Sequence, residues 1–459
     1  MTQNKYKQKE ILDKAIIFFI GAIMASFLLY YVNISTDRLP LMDYWKGCSA
    51  HLEQIVDGGF SWSYIFPIPH KLHWNPFYSI CDYIFVRVFK CDNRAYIYSG
   101  LLFSIFNIIL LVNIFQKYLR SNSKILNYCG IVICTMPIIN LNQWEIFTLY
   151  CNFAFMVRVF AYLFIFYRID EIVHRQKQKN EMIQSIMYGV LGLVVTLCLS
   201  QAYFPGYVAS VVGVLACDIC INRRWDKAKS YSLIIVGHVS GVVIYVVTLK
   251  RTAGNIIVFS MDLLLDYFKG FLLMLGSSII PINKQSNGMM NCYIVGGLVL
   301  ILTISAVILF FKKKYYNKTY FPIACLIYAC VSILVIMGGR MNKYGLASLT
   351  SSRYVVETTI GIIGVLEIYW MYLCETGKGL IRKGICTIIL SGFFIAMVWC
   401  NQVELVNGPY RKAYDQTMIE IALDVDNRTD EELAMFQAPA KQVRSGINTM
   451  KKYRLSLWR

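Results

Sequence analysis

Apolar stretches of about twenty residues recur along almost the whole chain, and nothing else limits its folding so severely. They lie near 15–34, 95–116, 125–140, 147–167, 183–201, 203–221, 231–249, 292–311, 319–338, 354–373 and 384–401. A twenty-residue helix is ~30 Å long, the thickness of a bilayer's hydrocarbon core. Only 16% of the 459 residues are charged, whereas 57% are hydrophobic. Soluble domains carry about a quarter charged residues, so lipid has to cover much of this apolar surface. The expected fold is an all-α integral membrane protein with about eleven transmembrane helices. No small-residue cleavage site follows the first stretch, which therefore reads as a retained anchor.

The net charge of +18 is organised by position. Lys5, Lys7, Lys9 and Lys14 precede the first stretch, and Lys117, Arg120 and Lys124 occupy the second joint. Arg168, Arg175, Lys177 and Lys179 come next, followed by Arg223, Arg224, Lys227 and Lys229. Lys312, Lys313, Lys314 and Lys318, then Lys378, Arg382 and Lys383, complete the set. The intervening short joints 140–146 and 201–206 have neither Lys nor Arg. Positive residues in short loops stay cytoplasmic, which puts the N-terminus inside and the C-terminus outside. The charge thus faces anionic lipid, and no nucleic-acid partner is expected.

Most of the 15 cysteines sit in apolar stretches, where Cys acts as a small hydrophobe. Cys217 and Cys220 form a lone CxxC with no second pair. Cys48, Cys81 and Cys91 lie outside in odd number, which argues against a complete disulfide framework. No nucleotide-binding glycine pattern and no HExxH is present. Residues 1–401 read as the membrane domain, with outer regions 35–94 and 250–291, and 402–459 as a short outer tail. Within these regions 75–89 is too short to span and suits an interfacial or re-entrant helix. The stretch 262–280 is placed likewise, because a crossing there would put Lys312–Lys318 outside.

Polar residues on the outer face are where chemistry is expected. The first outer loop opens STDRLPLMDYW with Asp37 and Asp43, for which helix capping is the plain alternative. The same loop holds three of the five histidines: His51, His70 and His73. PIPHKLHWNP sets His70, His73 and Trp74 among prolines in a rigid bend, without ligand spacing that defines a metal site. The joint NLNQWEIF brings together Asn142, Gln143, Trp144 and Glu145. These residue types cap a helix and also suit sugars, whose hydroxyls meet amides and acids and whose C–H faces meet Trp. GGRMNKYGLASLTSSRY places Arg340, Lys343 and Arg353 beside Tyr344 and Tyr354. Outer cations oppose the positive-inside preference, and arginine suits bidentate phosphate binding.

In order, DxW after the first helix, an HxxH-containing loop, QWE after the third span, GR…SRY before a late span and the tail KQVRSGINTMKKYRLSLW resemble bacterial membrane glycosyltransferases of the GT-C type. These polytopic enzymes use polyprenyl-phosphate-linked sugars outside the cytosol. The resemblance implies a bacterial plasma-membrane enzyme with a shared membrane core and amphipathic helices in the first outer loop. It also implies an Asp of that loop as base, which maps onto Asp43, with Asp37 and Glu145 as alternates. A base for the acceptor hydroxyl and cations for the departing phosphate fit that chemistry. Arg340, Arg353, Tyr344 and Tyr354 are the expected phosphate-binding set. His70, His73, Trp74, Asn142, Gln143, Trp144 and Glu145 are the expected sugar- or acceptor-binding set. The expected partners are the lipid-linked donor, a glycan or lipid acceptor and membrane lipid. No cofactor is required, and nothing in the sequence singles out a divalent metal. A polysaccharide polymerase is one alternative. A transporter or flippase of lipid-linked sugars is another, for which Arg158, His238, Glu357 and Glu367 are membrane-depth candidates.

Overall fold

The computed structural model describes residues 2–68, 70, 75–175, 180–200, 203–250, 263–281, 289–375 and 379–459, with side chains from residue 12 onward except that of Asn342. His73, Trp74, Lys177 and Lys179 lie outside the described residues.

The chain is an all-α polytopic membrane protein. Eleven helical segments among the described residues are long and apolar enough to cross a bilayer. The chain begins with α1 (Thr2–Ser35), followed by α2 (Asp43–Lys46), α3 (Leu52–Asp57), α4 (Trp62–Ile65) and α5 (Pro76–Arg87). Next come α6 (Asn93–Tyr118), α7 (Lys124–Thr135), α8 (Trp144–Thr148) and α9 (Asn152–His174). The middle contains α10 (Glu181–Cys198), α11 (Phe204–Asn222), α12 (Ala228–Thr248), α13 (Leu264–Ser277) and α14 (Met289–Lys312). The rest is α15 (Phe321–Tyr344), α16 (Val355–Cys374), α17 (Leu380–Leu423), α18 (Asp430–Leu433) and α19 (Ala440–Lys452).

Helix α16 is the axis of the bundle: its apolar stretch is wholly buried, while α1 and α14 turn most of theirs outward. One end of the bundle carries the lysine- and arginine-rich joints. The other, here the site end, carries α2–α5, the turn at 136–151, the 345–354 segment and everything after the middle of α17.

The two stretches expected to stop short of crossing form short helices. Asn75 caps α5, its Oδ1 accepting from Phe77 N at 2.9 Å, and Pro76 opens the helix. With 12 residues, α5 is ~18 Å long, and it lies against α9 through Phe77–Phe153 and Tyr78–Phe155 contacts. With 14 residues, α13 is equally too short. A Cβ at Gly276 or Gly296 would run into the carbonyl of Cys292 or Leu272, so α13 and α14 pack backbone to backbone in antiparallel fashion. Helix α12 ends and α14 begins at the site end, so the chain between them returns to the side it left.

The third span differs from the sequence expectation. The helix breaks after Thr135, where Pro137 leads into two short 3₁₀ turns and α8, and α9 starts only at Asn152. The joint is tucked into the protein: Asn140, Asn142, Gln143 and Glu145 are all buried.

The region after residue 401 is likewise more than a tail. Helix α17 runs for 44 residues, ~66 Å, through Pro409 and far past the hydrocarbon core. Asn401, Glu404, Gly408, Asp415, Met418 and Ala422 keep a helical spacing on its buried side. Helix α19 then folds back onto α2, α3 and the turn between them.

Candidate active site

Asp43 opens α2, directly after Met42, whose φ of 52° lies outside the usual regions for a residue with a side chain. Such a conformation costs ~1–3 kcal/mol and persists only when its surroundings impose it. Here they do. Tyr44 and Trp45 are completely buried, and Tyr44 packs edge-on against Trp45, Phe85 and Tyr150. Trp45 Nε1 donates to Pro40 O at 2.8 Å. The Asp43 side chain, 46% exposed, is thereby held out of an immobile aromatic base.

Arg353 reaches Asp43 from the other side of the site. Its Nη1 donates to Asp43 Oδ2 at 2.6 Å and its Nε to Glu145 Oε2 at 2.7 Å. The SSR tripeptide clamps Glu145. Ser351 Oγ donates to its carboxylate at 3.3 Å, and Ser352 Oγ accepts from its backbone N–H at 3.0 Å. One guanidinium therefore serves two carboxylates. Four residues later Glu357 pairs with the fully buried Arg158 and accepts from Tyr328 Oη. Arg158 lies over Phe155 and Tyr203, 4.8 and 4.3 Å from their centroids.

Beside the carboxylates is a group of cations. Arg340 lies over Tyr344 and Tyr354 at 5.4 and 5.8 Å, and Lys343 over Tyr344 at 5.2 Å. Arg340 has no ion pair or hydrogen bond among the described residues. Lys46, one turn beyond Asp43, is also within electrostatic reach of Tyr344. A hydrogen bond with Lys343, then the charges of Lys343, Arg340 and Lys46, hold the Tyr344 hydroxyl below its ordinary value. Tyr354 lies within reach of Arg340, Arg353, Glu145 and Asp43 together. Asp43, Glu145, Arg353, Arg340, Tyr344 and Tyr354 thus belong to one constellation.

The other residues singled out in the sequence are placed elsewhere or differently engaged. Asp37 caps Arg38 N at 2.8 Å, and its own N–H donates to Asp415 on α17 at 3.2 Å. His70 is buried, with Nε2 3.0 Å from Tyr245 O and 3.1 Å from Thr248 Oγ1, which ties the loop to α12. Asn142 Nδ2 donates to Ser277 O and to Ile280 O, and Gln143 Nε2 to Ile138 O, so both amides hold backbone turns together. Trp144 is covered on one face by Arg411, 3.4 Å from the ring centroid, and its buried Nε1 has no partner among the described residues. Arg411 is fixed by Glu404, which also accepts from Tyr31 Oη at 2.7 Å. Lys46 follows from Asp43 by helical spacing, whereas no local signal marks Arg411.

Behind α2, Tyr64 Oη donates to Asp82 at 2.6 Å, with the Cys48 thiol close enough to act on this carboxyl. Burial raises Asp82 to about 7. Cys48, Cys81 and Cys91 are all free and buried. Among the described residues no three His, Cys, Asp or Glu converge as a metal-ligand set.

Fold and site together define an all-α membrane protein with a carboxylate–arginine cluster at one end of its bundle. No protein-family model, no curated protein and no solved structure matches the chain.

Proposed function

We propose that this protein is a membrane glycosyltransferase of the GT-C kind, moving a sugar from a polyprenyl-phosphate carrier to a cell-envelope glycan, lipid or polymer. The observation that carries this reading is the half-exposed Asp43 carboxylate, anchored 2.6 Å from Arg353 near Arg340, which has no ion pair among the described residues. The acceptor oxygen attacks the anomeric carbon and passes its proton to Asp43. The bond from that carbon to the phosphate oxygen breaks, and the electron pair leaves with the polyprenyl phosphate. Charge grows on the phosphate as the bond breaks, and fixed cations then stabilise the transition state more than the ground state.

The cations divide into two roles. Arg353 already satisfies two carboxylates, so we take it as the residue that positions Asp43. Arg340, with Lys343 and Lys46, faces the phosphate, and Tyr344 and Tyr354 form the aromatic surface beneath it. Placing these groups at the outer membrane surface would let the prenyl chain stay in lipid while the sugar reaches Asp43. Glu145, buried and held by Arg353 and Ser351, fixes the guanidinium that positions Asp43.

Purified protein incubated with radiolabelled polyprenyl-phosphate sugars should release sugar from the lipid to an acceptor. Asp43→Asn should lower that rate by about a hundred- to ten-thousand-fold, the usual loss when a general base is removed. Turnover by Asp43→Asn at the wild-type rate would overturn the assignment of the base. Movement of intact lipid-linked sugar between leaflets of a vesicle, without release, would identify a transporter instead.

A further inference from the structure

The opposite end of the bundle holds a cavity of about 220 Å³ between α1, α6 and α7. Its floor is apolar, with Ile17 and Phe115, and its rim carries Lys14, Arg120, Lys124 and Asp13. Arg120 and Lys124 bring two cations to the same rim as the Asp13 carboxylate. The carboxylate is already engaged: Asp13 accepts from Lys124 Nζ at 2.6 and 2.8 Å and from Tyr128 Oη at 2.8 Å. Arg120 is exposed and has no ion pair or hydrogen bond among the described residues. Phe18 and Ile125, each adjacent in sequence to a lining residue, are exposed apolar side chains on α1 and α7.

We propose that this cavity binds the phosphodiester headgroup of an anionic glycerophospholipid, with its acyl chains along the outer surfaces of α1 and α7. A cationic rim over an apolar floor matches an amphiphile whose charge and hydrocarbon adjoin, and Arg120 supplies a planar fork for phosphate oxygens. A free anion would gain nothing from Ile17 and Phe115. A lipid bound here bridges the start of α1 to the α6–α7 joint, stiffening the end of the bundle far from the carboxylate cluster.

The test is lipid retention by the purified full-length protein, counted by native mass spectrometry after titration with phosphatidylglycerol or phosphatidylcholine. Phosphatidylglycerol should be retained in preference. A basic residue at the surface contributes ~1 kcal/mol to binding anionic lipid, and reversing a charge should double that, so Arg120→Glu should weaken retention about tenfold or more. Arg120→Gln should weaken it in the same direction, which keeps the test valid if the charge reversal disturbs folding. Lys229→Glu, an equal change of charge at the same end but outside the cavity, should bind as wild type does. Wild-type retention by both Arg120 variants, or equal loss in Lys229→Glu, would overturn the site. Displacement of the lipid by inorganic phosphate at about 10 mM, far below the added electrostatic screening of molar salt, would overturn the assignment of a lipid.

Discussion

Arg340 and Arg353 carry the same charge, stand thirteen positions apart and differ in their hydrogen-bond partners. Arg353 spends Nε and Nη1 on two carboxylates, whereas Arg340 rests on tyrosine faces with no hydrogen bond among the described residues. Their variants should therefore separate kinetically. Arg340→Ala should raise the donor KM about tenfold or more, since a hydrogen bond to a charged group contributes ~1.5–3 kcal/mol. Arg353→Lys keeps the charge but cannot hold Asp43 and Glu145 in one plane. It should lower kcat by about ten- to a hundredfold with little change in donor KM. Steady-state kinetics under varied donor decides between them, and the reverse split would exchange the two roles. Asp82 offers a second test at this scale. Its carboxyl is neutral in the fold up to about pH 7 but ionises in the unfolded chain at an ordinary carboxylate pKa. The unfolded state then binds fewer protons, so stability falls as pH rises from about 4 towards 7. The thermal midpoint in detergent should decline over that window for wild type and stay flatter for Asp82→Asn, which still accepts from Tyr64.

Among the elements, the pairing of α2 with α19 decides whether Asp43 is held. Val443, Gly446, Ile447 and Met450 make the buried face of α19, and Gly446 backs onto Trp45, where an added Cβ would sit 3.2 Å from the indole. Phe436 meets Trp45 edge-on at 4.9 Å. Gln442 donates to Trp45 O, Tyr453 to Asp57, and Lys452 pairs with Glu53 at 3.2 Å. The C-terminal region is thus a clamp over the element that presents the proposed base. Gly446→Leu would overpack this contact, at a cost of ~1–3 kcal/mol. Because the spans do not depend on it, the variant should insert normally. It should lose transfer activity and expose the 36–60 loop to limited proteolysis. Protection of that loop at the wild-type level would show that the clamp is dispensable.

For the whole molecule the issue is which end faces which compartment. The lysine-rich joints all share one end, and the proposed chemistry occupies the other. Single cysteines at positions 43, 353 and 444, in a background where native thiols do not react, should be labelled by an impermeant maleimide on intact cells. Cysteines at 229 and 313 should be labelled only after permeabilisation. Labelling of 313 from outside would mean that α13 crosses, and it would also place the carboxylate cluster and α19 on different sides.

The number of spans, their approximate positions and the ends they share are legible in the sequence. Lipid tests every segment for hydrocarbon length and loop charge, and both are local properties. Asp43, Arg340 and Arg353 are legible for a related reason: charge at the end of an apolar helix is conspicuous. The break after Thr135 is not, because a buried turn held by Asn142 and Ser277 reads like any polar joint. Nor is the clamp, since nothing in residues 440–452 names Trp45 as the partner of their apolar face. Above all, one side chain had to be shared between acids from two other elements. The sequence puts Arg353 310 positions from Asp43 and 208 from Glu145, and the hydrogen bonds of 2.6 and 2.7 Å it makes to them exist only once the bundle has brought the ends of its helices together.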